Sequence, residues 1–283
     1  MNPALQALAS RVTASRTVRA CGIVLIVIAA IAVLGPLISP NDFRTADFDL
    51  RLTPPTLDGL HLFGTDDLGR DLFVRAMMGV QITLVVAIVA SLVSLAIGVV
   101  YGAVAGFVGG RVDALMMRIV DALYALPFIF FVILLMVVFE RNFLLIFVAI
   151  GAVNWLDMAR IVRGQTLALK EREFVAAARV NGVSTASIIF RHITPNLLGV
   201  VIVYVTLTVP QAILIESFLS FLGLGIQEPR TSLGALVEGG TGHMEQAPWV
   251  LLLPATLLAV ILYCFNFLGD GLRDALDTTE HDR

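Results

Sequence analysis

Charge is what this sequence has least of. Asp, Glu, Lys and Arg make up 14 % of its 283 residues, while apolar residues reach 58 %. A soluble globular chain carries roughly 25 % charged residues. With so little charge, a soluble 30.5 kDa domain would present one continuous apolar exterior, and the mean hydropathy of +0.91 points the same way. A soluble enzyme is excluded at this step. A nucleic-acid binder is excluded with it, because a net charge of −3 leaves no basic footprint.

Other scarcities narrow the field further. Two cysteines, Cys21 and Cys264, each sit inside an apolar run, so neither a disulfide framework nor a Cys-rich metal site is indicated. The four histidines, His61, His192, His243 and His281, are scattered and form no H-E-x-x-H. Lys170 is the only lysine, and no glycine-rich loop precedes it. A Walker A loop needs a lysine against the nucleotide phosphates, so the chain does not hydrolyse ATP by itself.

What is present is apolar sequence in long pieces. Residues 20–41, 76–110, 122–139, 142–156, 192–215 and 246–269 contain no charge. A helix needs about 20 residues to cross the hydrocarbon core. Six spans are expected, near 21–39, 81–106, 120–139, 142–160, 197–217 and 249–268. The first apolar stretch is longer than a signal-peptide core and reads as an uncleaved span. The preceding tail, 1–19, is compatible with a short amphipathic surface helix. The expected organisation is a tail at 1–19, a first span at 20–39, a segment at 40–80 on the far side, a five-helix core at 81–268 and a tail at 269–283.

Arginine and lysine placement sets the orientation. With the N-terminus inside, three lie in the N-terminal tail, two in 107–119, six in 160–196 and two in the C-terminal tail, 13 of 19 in all. Both termini are therefore expected in the cytoplasm, with 40–80 and its seven aspartates outside.

Two connections are too long to be simple turns. The outer segment contains Gly64, Thr65, Asp66, Asp67, Leu68, Gly69, Arg70 and Asp71, a turn leading into a helix that Thr65 or Asp66 would cap. Asp66, Asp67 and Asp71 lack the D-x-[DN]-x-[DN]-G spacing of a calcium loop, so capping and pairing with Arg70 and Arg75 is the favoured reading. The inner segment 161–196 reads as a helix over 163–180, closed by a positive-φ cap at Asn181-Gly182. Ser184 or Thr185 would cap a second short helix over 185–192, and Pro195 would reset the chain before the next span. This makes a rigid elbow. Its Phe174, Val175, Ile188, Ile189 and Phe190 either pack on the bundle or fill a groove in a cytoplasmic partner.

Within the spans, Ala90, Ser94, Gly98, Gly102, Gly106 and Gly110 recur every fourth residue and form one small-residue face. Such a face permits close helix contact inside the bundle, or against a second subunit. Polar residues in or beside the spans are few: Asp121, Asn154, Asp157, Glu216 and Asn266. An ion-coupled secondary carrier usually needs ionisable groups at mid-membrane, and their scarcity disfavours it. Pro127 and Pro210 are expected to kink their spans.

At the elbow, Phe174-Val175-Ala176-Ala177-Ala178-Arg179-Val180-Asn181-Gly182, followed by Pro195, resembles the "EAA" loop of ABC importer membrane subunits in its peptide and nickel branch. The general pattern's leading Glu falls at Ala176, and its Leu before the proline at Thr194. The Gly64–Asp71 stretch, Phe218-Leu219-Ser220-Phe221-Leu222-Gly223-Leu224-Gly225 and Phe265-Asn266-Phe267-Leu268-Gly269-Asp270-Gly271-Leu272-Arg273-Asp274 resemble the same branch.

The resemblance implies an all-α ABC type I importer permease fold and a non-catalytic C-type permease in a bacterial or archaeal plasma membrane. It implies a homologous B-type permease partner, two ABC ATPases that bind ATP and Mg, and an extracytoplasmic substrate-binding protein. Glu173, Phe174, Ala177, Ala178, Arg179, Gly182, Ile188 and Pro195 would form the ATPase-docking loop. Gly98, Gly102, Gly106 and Gly110 would pack helices, and Gly64, Thr65, Asp66, Gly69, Arg70 and Asp71 would form the extracytoplasmic motif. No cofactor or metal is expected on this chain. The implied cargo is a di- or oligopeptide, with nickel as the alternative, and a secondary carrier or a purely structural membrane protein as the competing classes.

Overall fold

The computed structural model describes residues 15–127, 130, 132–134, 138 and 143–281. The main elements are all helices, joined by turns and irregular chain: α1 Arg16–Ile38, α2 Leu72–Val108, α3 Gly110–Tyr124, α4 Phe143–Leu169, α5 Glu173–Val180, α6 Thr185–Phe221, α7 Leu233–Thr241 and α8 Pro248–His281. Among the described residues the only extended pairing is one bridge, Thr65 to Asp71. Four of these helices, α1, α2, α6 and α8, are long and apolar enough to cross a membrane. The protein is an all-α polytopic membrane protein.

Four spans among the described residues, against six expected, reflects two places. The expected third span, 120–139, is interrupted by residues outside the described set, 128, 129, 131, 135–137 and 139. Where it is described it differs, because residues 120–124 complete the amphipathic α3 and the chain turns at Ala125 before Pro127. Residues 143–160 of the expected fourth span, 142–160, lie in α4, which continues beyond them to Leu169. The expected N-terminal surface helix falls mostly in residues 1–14, also outside the described set; Ser15 caps α1, its hydroxyl accepting from Val18 N.

The chain forms two compact units, one from residues up to Ile88 with Val209–Ala275, the other from Val89–Thr208 and Leu276 onward. In the first unit α1 is peripheral. Ile23, Ile26, Leu37 and Ile38 are all exposed, the state expected of side chains whose solvent is lipid. It touches its neighbours at small residues: a Cβ on Gly35 would lie 3.0 Å from the Phe73 ring, and one on Gly271 would lie 2.4 Å from Val18. The unforeseen α7 is seated the same way. Gly234 lies against Ser217 and Gly240 against Leu251, at 2.4 and 2.7 Å from the Cβ each lacks. Ser232 caps α7 by accepting from Ala235 N at 3.2 Å, and Leu233 N donates to Thr83 Oγ1 at 3.1 Å. Beside this cap the wholly buried Glu216 accepts from the Ser220 hydroxyl at 2.7 Å.

In the second unit α2 and α4 meet through the small-residue face. Added Cβ atoms on Gly98, Gly102 and Gly106 would lie 2.5, 2.4 and 2.8 Å from Met158, the Ala159 carbonyl and the Arg163 carbonyl. Gly110 leaves this face, contrary to the repeat. It has φ +58°, starts α3 and has open space where a Cβ would be. Gly109 is also at positive φ, and the pair turns the chain before a helix-packing register can continue.

Candidate functional site

The 161–196 elbow is built differently from its sequence expectation. Residues 163–169 finish α4, the chain breaks over 170–172, and α5 begins at Glu173 after an extended Arg172. Glu173 lies in the first turn and Arg179 in the last, each favourable to the helix dipole. The end of α5 follows the Schellman pattern. Val183 N donates to the Ala178 carbonyl at 3.1 Å and Gly182 N to the Arg179 carbonyl at 3.0 Å. Gly182 occupies φ +73° with open space around it, so the demand for glycine there comes from the backbone alone.

The second arm is not a separate short helix. Ser184 caps it, accepting from Ser187 N, and it runs through a π turn at Ile188–Ile193 into the rest of α6. The π turn accommodates Pro195 without a break. Thr194 N and the Thr194 hydroxyl both reach the Ile189 carbonyl, and the widened turn relieves the clash a proline ring makes with the carbonyl four residues back.

Burial then separates residues the sequence had grouped together. Val175, Ala178, Ile188 and Ile189 turn inward and join Phe107, Met158, Val162 and Leu197 in one apolar core. Ile188 and Ala178 are therefore seating residues, with no surface to offer a partner. Glu173, Phe174, Ala176, Ala177, Arg179, Phe190 and Pro195 remain on the outside. Val180, absent from the expected set, is 87 % exposed. Arg179 bends its guanidinium over the Phe107 ring at 5.1 Å, which ties α5 to the end of α2. Behind the elbow, Arg163 on α4 grips Asp113 on α3 with two hydrogen bonds, 2.5 and 2.7 Å. That hydrogen bonding holds the Asp113 carboxyl below the usual aspartate range, although partial burial opposes it.

The Gly64–Asp71 stretch closes on itself. Asp66 accepts from Leu68 N and Arg70 N through one oxygen, both at 2.9 Å, and from Arg70 Nε through the other at 2.7 Å. Asp71, rather than Thr65 or Asp66, caps α2 by accepting from Val74 N at 2.9 Å. Thr65 is instead spent on the 50–53 turn, donating to the Leu50 carbonyl and accepting from Thr53 N. Gly69 has φ +76°, and a Cβ there would fall 1.7 Å from the Asp47 carbonyl oxygen.

Two partners in this cluster carried no sequence signal. Glu228, 158 residues from Arg70, bonds both Arg70 (2.5 Å) and Arg75 (3.0 Å). His61 Nδ1 pairs with Asp71 at 2.9 Å. Burial would raise the Glu228 pKa, but the two guanidinium hydrogen bonds outweigh it and hold the carboxyl below its ordinary range. Burial likewise works against the charge on Arg70, and Glu228 and Asp66 overcome it.

Residues 98–279 match the family described as "Binding-protein-dependent transport system inner membrane component". The chain belongs to that family. The permease is also 58 % identical over 255 residues to the oligopeptide transport system permease protein OppC of Escherichia coli K12, covering 90 % of this chain and 84 % of that one. It is 45 % identical over 259 residues to the dipeptide transport system permease protein DppC of Bacillus subtilis, covering 90 % and 79 %. A chain of the MetNI methionine ABC transporter, in inward-facing conformations, shares its fold. The TM-score is 0.57 at 21 % identity, over 72 % of the permease and 96 % of that chain.

Proposed function

We infer that the permease is one half of the transmembrane pathway of an ATP-driven peptide importer. In this reading it crosses the membrane six times with both termini in the cytoplasm, pairs with a homologous B-type permease, and binds two ATPases that hold ATP and Mg. An extracytoplasmic binding protein delivers the cargo. Peptide is favoured over nickel because oligopeptide and dipeptide systems name its relatives.

The observation that carries the reading is the elbow's divided surface. Val175, Ala178, Ile188 and Ile189 root it in the core, while Phe174, Val180 and Phe190 stand exposed beside Arg179 and Arg191. Three large apolar side chains on a rigid, charged-rimmed projection suit a groove in a partner. Because the second arm continues directly into α6, a push on the elbow acts on the helix itself rather than on a slack linker. ATP-driven closure of the ATPases would thereby be passed to the membrane helices, with Gly182 setting the angle between the arms.

Purification of the complex followed by ATPase assay with peptides and with nickel tests the reading. Copurifying ATPases whose turnover rises with peptide are expected. Nickel stimulation alone would reassign the cargo, and peptide uptake by this chain without ATPases would overturn the mechanism.

A further inference from the structure

The turn at 57–62 carries three exposed leucines that the transport mechanism does not use. We propose that Leu57, Leu60 and Leu62 form a membrane-interface anchor, inserted at the headgroup–acyl boundary of the leaflet in which α1 ends.

Position is the first support. The last turn of α1 ends in Leu37 and Ile38, both more than three-quarters exposed and read here as lipid-facing. Ser39 N closes that helix on the Gly35 carbonyl. Asn41, three residues past Ile38, donates from its side-chain amide to the Gly59 carbonyl at 3.2 Å and to Asp71 Oδ2 at 3.3 Å. Three extended residues span at most about 10 Å. With the Asn41 side chain and its hydrogen bond added, the Gly59 carbonyl lies within roughly 17 Å of the lipid-facing end of α1, which places the turn beside that helix end.

Stiffness is the second. Thr56 N donates to the His61 carbonyl at 3.0 Å, Leu60 N to Leu57 at 3.2 Å and Gly64 N to His61 at 2.9 Å, while the buried His61 ring is held by Asp71. The leucines are presented by a braced turn. Leu57 is 79 % exposed, and Leu60 and Leu62 are about half exposed.

Residue choice is the third. Gly59 and Leu60 both have positive φ, +69° and +59°. Glycine or asparagine suits such backbone, and leucine is disfavoured there. Position 60 thus places an outward apolar side chain on backbone that disfavours leucine. Apolar residues that settle into the interface embed by about 5–10 Å, a depth a turn beside a helix end attains without spanning.

The test uses the complete complex in lipid nanodiscs, without the binding protein. Cys21 and Cys264 are buried and are replaced by alanine, and a nitroxide is placed by Leu60→Cys, with Leu57→Cys and Leu62→Cys as independent reporters. Leu37→Cys gives the lipid reference and Asp49→Cys the aqueous one. Expected at all three leucine sites is faster spin relaxation by oxygen than by a water-soluble nickel chelate, as at position 37. Relaxation dominated by the chelate would place the turn in water and overturn the proposal. Shielding from both reagents would mean that a protein subunit covers it, and would overturn it equally.

Discussion

The elbow at 170–193 and the ion cluster around 64–75 meet one requirement by opposite means. Each holds a connection rigid at the end of membrane-spanning helices. The elbow does so with carbon: four apolar side chains reach into a core, and a Schellman cap ends α5. The cluster does so with charge, Asp66, Arg70, Arg75 and Glu228 neutralising one another in a largely buried setting. Apolar seating is insensitive to pH and leaves the outer face free to carry partner contacts. Ionic seating fixes geometry tightly but consumes the side chains that make it, and acid weakens it.

The largest effect should come from Gly69→Ala. The new methyl group would meet the Asp47 carbonyl at positive φ, and we expect a destabilisation of order 4 kcal/mol, read as lost assembly or a lower melting temperature in detergent. Gly182→Val should cost less, about 1–2 kcal/mol, because the site is open and only the backbone objects. Membrane insertion should persist while ATP hydrolysis proceeds without transport; normal uptake would remove Gly182 from the mechanism.

Glu228→Gln probes the ionic region through pH. A carboxylate whose folded pKa is depressed contributes stability above its unfolded value, near 4.3, and loses that contribution as pH falls through the folded value. The variant should be less stable than the parent at pH 7, and their melting temperatures should converge on acidification. Parallel curves would mean that Glu228 is not held as a charged partner. The smallest stability change, within about 0.5 kcal/mol, belongs to Val180→Ser. ATPase association should nevertheless weaken, and unchanged copurification would take Val180 out of the interface.

The spans in α1, α2 and α8 were legible because long charge-free runs leave few alternatives, and Gly182 because Asn-Gly after an alanine-rich helix signals a left-handed cap. The cap of α2 was less legible. Thr65, Asp66 and Asp71 are all good capping residues, and the choice turns on where the chain reverses at Gly69. Pro195 misled for a related reason: a proline signals a break, and the π turn that absorbs it has no pattern of its own. Glu228 and His61 were beyond reach because their partners are set by tertiary approach. α7 escaped because nine residues containing three glycines do not announce a helix. Two of those glycines, Gly234 and Gly240, let it sit tightly against Ser217 and Leu251.

The solitary lysine acquires a meaning that composition alone did not provide. Lys170 lies in the break between α4 and α5, its ammonium 3.4 Å from where a Gly109 side chain would begin. The chain's only ε-amine therefore stands at the hinge of the elbow. Amine-directed cross-linkers have one side-chain address on this subunit, and a protein seated on the elbow would be captured there rather than along the rest of its surface.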